Sequence, residues 1–154
     1  MKRFLSQVYR ALPRPLTRTA LWLANPTFNF GAVGIFFAPD GRVLLLNHVY
    51  RQRYPWALPG GYLRRGEAPE AGVLRELREE TGLIATVEAT LCVDIVDRWQ
   101  KEAVLIGHVD PTQALTLSHE IFEAAFVAPD DLPADTLPRQ RPLIARASAL
   151  RPPR

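Results

Sequence analysis

The stretch from Gly61 to Leu83, GYLRRGEAPEAGVLRELREETGL, constrains this chain more than any other part of it. Pro69 suits the first turn of a helix and Gly82 the position just past its end, so the spacing predicts a helix over about Pro69 to Thr81. At 100° per residue, Glu76, Glu79 and Glu80 fall at roughly 0°, 300° and 40°. The three carboxylates therefore share one face. Val73, Leu74 and Leu77 point to another side and can anchor the helix in a core. Gly72 lies one turn before Glu76 on the acidic face. With no side chain it lets another backbone or a ligand come close, at a cost of about 1 kcal/mol relative to alanine.

Ionised carboxylates so close together repel. At an effective dielectric of 20 and about 6 Å, each pair costs roughly 2–3 kcal/mol before screening. Arg75, four residues before Glu79, and Arg78 relieve part of this. A hard divalent cation relieves more, and an oxygen-only donor set suits magnesium, with manganese as the alternative. Taken alone, such a segment equally describes a solvated acidic face with ordinary helix salt bridges.

The residues around the helix weigh against that plainer reading. Gly61, five residues, Glu67, seven residues, Arg75-Glu76-Leu77, one residue, Glu79-Glu80, one residue, Gly82-Leu83: the whole pattern resembles the signature of Nudix hydrolases, and every specified position is filled. Seven fixed identities match by accident with probability ~10⁻⁸ per start position, which sets coincidence aside. The resemblance extends to Trp56, Leu58, Pro59 and Gly60, and to the order of strands after the helix. It covers about residues 28–138. It implies an α/β/α sandwich around a mixed β-sheet and cleavage of a nucleoside diphosphate linked to another group. Carried over by position, it implies that Glu76, Glu79 and Glu80 bind metal ions with the Gly60 carbonyl, while Glu67 and Arg75 brace loop and helix by an ion pair. The family often adds a further acid after the later strands; here that is Glu120, with Glu123 as fallback. Glu79, Glu80 and Glu120 are all candidates for the general base. Gly72 stands where the family commonly has alanine.

The rest of the chain fits one domain. Strands are expected at Phe30 to Phe37 and Arg42 to His48, joined by the turn Pro39-Asp40-Gly41. A Pro/Gly-rich passage precedes the helix. Further strands are expected at Ile84 to Asp97, Glu102 to Val109 (turn near Gln100) and Ile121 to Val127, then a loop over residues 129–133 and a short Arg-rich helix near Arg139 to Leu150. Residues 1–26 read as a helical extension, with Phe4, Leu5, Val8, Tyr9 and Leu12 at helical spacing, and residues 27–154 as the main domain. Contact of the extension with an acidic membrane surface is the less favoured reading; packing on the main domain is favoured.

Composition narrows the partners. The 154 residues carry 19 basic and 16 acidic side chains, a net +3 that suits a polyanion such as a nucleotide. Cys92 is the only cysteine, so no intrachain disulfide forms, and it reads as a small core residue. No stretch approaches the ~20 apolar residues of a membrane span, and the start lacks the apolar region of a secretory signal, so the cytoplasm is the expected address. A homodimer is open.

Arg51, Arg53, Arg64 and Arg65 flank the motif as candidate phosphate ligands, and Trp99 as a surface for stacking a base or sugar. Each has an ordinary surface role as its alternative. No coenzyme A or NADH signature accompanies the motif. Two rivals remain. A catalytically silent nucleotide sensor would tend to lose acidic ligands, and this chain keeps them all. An RNA-binding or RNA 5′-end-processing protein is suggested by Arg139, Arg141, Arg146, Arg151 and Arg154, but no aromatic residue is interleaved among them, so nucleic acid is disfavoured as a partner.

Overall fold

The computed structural model describes residues 28–151. The expected helical extension over residues 1–26 lies outside them. A seven-stranded mixed sheet forms the middle layer. It comprises β1 (Asn29–Phe37), β2 (Val43–His48), β3 (Trp56–Ala57), β4 (Gly60–Tyr62), β5 (Ala85–Ile95), β6 (Gln100–Val109) and β7 (Ile121–Val127). Helix α1 (Pro69–Thr81) follows β4. A 3₁₀ turn (Pro138–Gln140) leads into helix α2 (Arg141–Ala149) near the end of the described chain.

Strand β1 organises the sheet. It pairs in parallel with β6 along its whole length, from Asn29 against Gln100 to Phe37 against His108. Its other edge is shared: β4 takes residues 31–33 and β2 joins at Phe37. Such a strand has no solvent face, and its apolar run NFGAVGIFF reads accordingly. Alternate residues feed two cores. Ala32 and Phe36 join Leu44, Leu46, Val73 and Leu77 beneath α1. Val33, Ile35 and Phe37 join Leu45, Leu58, Ile144 and Ala147 beneath α2. The expected α/β/α sandwich is therefore present, with the signature helix as one outer layer.

Helix α1 ends as its sequence dictates. Gly82 adopts a left-handed φ of +74° and its N–H returns to the Arg78 carbonyl at 2.9 Å. Thr81 folds its hydroxyl back on the Leu77 carbonyl at 2.6 Å. Val73 and Leu77 are fully buried, each contributing about 1.5–3 kcal/mol through apolar burial.

Three expectations change. The Pro/Gly-rich passage contains β3 and β4, short strands that pair with the preceding β2 and with the more distant β1 respectively. The β5–β6 turn precedes Gln100: Asp97 Oδ1 accepts the N–H groups of Trp99 (2.6 Å) and Gln100 (2.8 Å), and Gln100 already belongs to β6. Gly72 admits neither ligand nor backbone. A Cβ there would stand 2.2 Å from Leu63 Cδ2, so the missing side chain makes room for a leucine. Cys92, on β5, is partly buried against the α2-side core. Among the described residues no helix is long and apolar enough to cross a membrane.

Candidate active site

Two glycines let two carboxylates close on β4. Gly60 has φ +148°, and a Cβ would fall 2.2 Å from the Ala32 carbonyl oxygen and 2.7 Å from Val33 Cα, so no other residue fits against β1. Its N–H donates to Glu80 Oε2 at 3.3 Å. At Gly61 a Cβ would stand 2.7 Å from the Glu76 carboxylate, which therefore lies directly against the backbone. Glu76 and Glu80 are one turn apart on α1, and both line a cleft of about 530 Å³, within the usual range for a ligand site.

The Glu120 loop reaches the same cleft through backbone ties. The Glu80 carbonyl accepts the Ser118 N–H (2.9 Å), and the Glu120 carbonyl accepts the Val49 N–H (2.9 Å). Glu120 lines the cleft with its side chain about half exposed. Glu123, exposed on β7, is not among the residues that line it.

Glu80 is the most perturbed of these acids. It is 8% exposed, and burial, together with the negative charges of Glu76 and Glu120, pushes its pKa up to about 8 against the pull of the Gly60 N–H and Arg51. Arg51 lines the cleft opposite and is lowered by burial and by repulsion from Arg139. His48 beside it is lowered to about 4 by burial and by Arg51, hence neutral, and its Nε2 is buried without a hydrogen-bond partner among the described residues.

Arg75 braces the loop that delivers these groups. It donates to both oxygens of Glu67 (2.8 and 2.9 Å), to Glu76 (2.7 Å), to Glu79 (3.1 Å) and to the Tyr62 carbonyl (3.2 Å). The hydrogen bond from Arg75, then that from the Arg64 N–H, holds Glu67 at about 2. This is the expected ion pair, and it joins the loop before α1 to the middle of the helix.

Five candidate positions stand apart from the cleft: Glu79, Arg53, Arg64, Trp99 and the exposed Arg65 are not among the residues that line it. Glu79 is about half exposed and held by Arg64 (3.0 Å) and Arg75 (3.1 Å) on the outer flank of α1. It lies about 100° around the helix from Glu80, far enough to leave the cleft. Arg64 is committed to that pair. Arg53 stacks over the Tyr54 ring at 5.3 Å. Trp99 is 56% exposed at the β5–β6 tip with the Arg98 guanidinium 4.4 Å above its ring, while its neighbour Gln100 lines the cleft. Of the proposed substrate contacts Arg51 alone faces the glutamates.

The sequence reading missed Glu102, Arg139 and Gln140, which also line the cleft. Glu102 is 2% exposed and takes a two-pronged pair from Arg139, which also reaches Asp94 at 3.3 Å. A charged residue at the head of the apolar run Glu102 to Val109 was the available signal. Three of the five arginines of the basic tail have partners in the fold: Arg139 is paired, Arg141 donates to the Leu132 and Pro133 carbonyls, and Arg151 covers the Phe37 ring; Arg146 is exposed and Arg154 lies outside the described residues.

The signature helix thus presents Glu76 and the buried Glu80 to one cleft, and comparison with known proteins shows the family. The family model for the NUDIX domain matches residues 27–147. The chain belongs to the NUDIX family. This Nudix chain is 33% identical over 113 residues to a putative 8-oxo-dGTP diphosphatase of Bacillus subtilis (strain 168), covering 72% of this chain and 74% of that protein. It is 41% identical over 66 residues to an ADP-ribose pyrophosphatase of Methanocaldococcus jannaschii, a match covering 40% of this chain and 37% of that protein. Among solved structures, a NUDIX hydrolase from Nitrosomonas europaea superposes with a TM-score of 0.72 at 17% identity, over 82% of this chain and 73% of that one, which shows the shared fold. The Nudix fold and the Nudix motif thus coincide in one cleft.

Proposed function

We propose that this Nudix protein is a divalent-cation-dependent hydrolase that cleaves the diphosphate of a nucleoside diphosphate linked to another group. The observation that carries the reading is Glu80: a nearly buried carboxylate at a cleft, with Glu76 and Glu120 on its side and Arg51 opposite. A buried acid whose neighbours are acids is costly unless a cation neutralises it, and oxygen donors alone favour magnesium or manganese. Among the described residues no three such side chains already stand together as a metal cluster. Glu76, Glu80 and Glu120, with the Gly60 carbonyl, are the groups that would hold the ion. When bound, it polarises phosphate oxygens and lowers the pKa of the attacking water.

The protein's own groups do the rest. Arg51 binds phosphate oxygens through its fork of N–H donors. Glu120, on the open side of the cleft, takes the proton from water. Gly60 holds Glu80 in place through its N–H. Glu79 can join the set only by giving up Arg64 and Arg75. The relatives named for 8-oxo-dGTP and ADP-ribose favour a nucleotide substrate of modest size for this chain as well.

The test is release of phosphate-bearing products, with magnesium and then manganese, from nucleoside triphosphates, 8-oxo-dGTP, nucleotide sugars, ADP-ribose and capped RNA. Hydrolysis of at least one member, abolished by chelation and by Glu80→Gln, is expected. No product from any member with either ion would refute the reading.

A further inference from the structure

Residues 136–140 lie against the loop that carries Gly60: three contacts tie them to it and a fourth ties them to β6. Thr136 bridges Trp56 in parallel. The Leu137 N–H donates to the Trp56 carbonyl at 2.8 Å. The Leu58 N–H donates to Gln140 Oε1 at 2.8 Å. Arg139, next to Gln140, is fastened to Glu102 on β6 by its two-pronged pair.

Gln140 is 1% exposed. A long polar side chain buried that deeply is costly unless its oxygen and nitrogen find partners. Its oxygen satisfies an N–H that no strand partner reaches. On the other side of the same loop the Pro59 carbonyl accepts the Gly34 N–H at 2.9 Å. The loop is therefore pinned from α2's side at Leu58 and from β1 at Pro59. Gly60 comes next, pressed against Ala32 and Val33 and donating its N–H to Glu80.

We infer that Gln140 is a positioning residue for the active site: its amide oxygen, by holding the Leu58 N–H, sets where the Gly60 N–H stands and so where the Glu80 carboxylate is held in the cleft. The inference rests on Glu80 belonging to the catalytic set. It gives the 3₁₀ turn a role at the site although the signature motif lies some 60 residues earlier in the chain. Geometry errors of about 1 Å at a catalytic group can cost of order a hundredfold in rate, so a lost loop anchor is a measurable defect.

Two variants separate this role from a merely structural one. Gln140→Met keeps the length and removes the acceptor. Gln140→Glu keeps length and acceptor and replaces the amide NH₂. Amide hydrogen exchange at Leu58 and Gly60 is read beside kcat and KM for the best substrate of the panel. In Gln140→Met, exchange at both amides should speed at least about tenfold while β1 amides stay protected, and kcat should fall at least about tenfold with KM within about threefold. Gln140→Glu should restore both relative to wild type at the same pH below about 6, where a carboxyl buried in a cleft of acids keeps its proton and still offers an acceptor oxygen. Unchanged exchange or unchanged kcat in Gln140→Met would overturn the inference. So would a loss confined to KM in both variants, which would make the amide NH₂ a substrate contact. Should Gln140→Met fail to fold, Gln140→Glu decides: near-normal protection and kcat sustain the inference, and loss of both defeats it. If the wild type cleaves nothing in the panel, the functional reading falls alone, and exchange at Leu58 and Gly60 still decides the role of Gln140.

Discussion

Replacing Glu80 by glutamine should destroy activity and make the metal-free protein more stable, and the second effect can be worked out from the structure. Glu80 has an ordinary carboxylate pKa of 4.5 when unfolded and about 8 when folded, raised chiefly by burial. Below 4.5 both states hold the proton and the residue is neutral to stability. Between 4.5 and 8 the folded state keeps a proton that the unfolded chain has released, so stability falls as pH rises. At pH 7 the accumulated cost is roughly 3 kcal/mol, and above pH 8 it levels off near about 5 kcal/mol. Glutamine keeps an oxygen for the Gly60 N–H and has no proton to lose. Thermal unfolding in chelator across pH 4 to 9 should show the variant gaining on the wild type through this window. The difference should reach roughly 6–12 °C in Tm at pH 7. Magnesium should raise the wild-type Tm and leave the variant's unmoved. Parallel pH profiles for the two proteins, or a variant less stable than wild type at pH 8, would refute the assignment of Glu80 as a desolvated acid.

Other outcomes follow from the same geometry. Glu79→Gln should keep most of the turnover if Glu79 stays with Arg64 and Arg75; a loss matching Glu80→Gln in kcat would show that it moves to the cation. Gly60→Ala should lower Tm and abolish turnover together, since its Cβ meets backbone at 2.2 Å that cannot yield, as unfolding curves and a rate assay would reveal. Glu67 sits at about 2, below its unfolded value, so its contribution is present above 4.5 and lost as pH falls toward 2; Glu67→Gln should flatten that acid limb in unfolding curves. Leu77→Ala should cost about 2–5 kcal/mol in urea denaturation, because the side chain is fully buried beneath α1.

How much was legible in advance differs between the helix and the cleft. The bounds of α1, its glycine stop, the Glu67–Arg75 brace and the two-faced pattern of its apolar and acidic residues all depend on groups within about two turns of one another or on the signature pattern. Such spacing is written in the chain itself. Most long strands were equally plain, since their apolar runs need no particular partner to be recognised. Strands β3 and β4 were not, because segments of two or three residues become strands only when β2 and β1 lie beside them. The role of Gly72 was misread for a similar reason: which atom fills the gap, Leu63, is a matter of tertiary packing.

The sequence by itself determined the family, the sandwich and the helix that bears the acids. Only the tertiary structure decided which acids share a cleft. It sent Glu79 outward to two arginines, brought Glu120 in on a loop whose Ser118 N–H is tied to the Glu80 carbonyl, and recruited Glu102 from β6 and Arg139 and Gln140 from the 3₁₀ turn near the end of the described chain. The physical reason is range. Helical phase is a local property, good to within a side chain's reach. Burial and the pKa shift that follows from it are summed over every element packed around a group, and no short stretch of residues contains that sum.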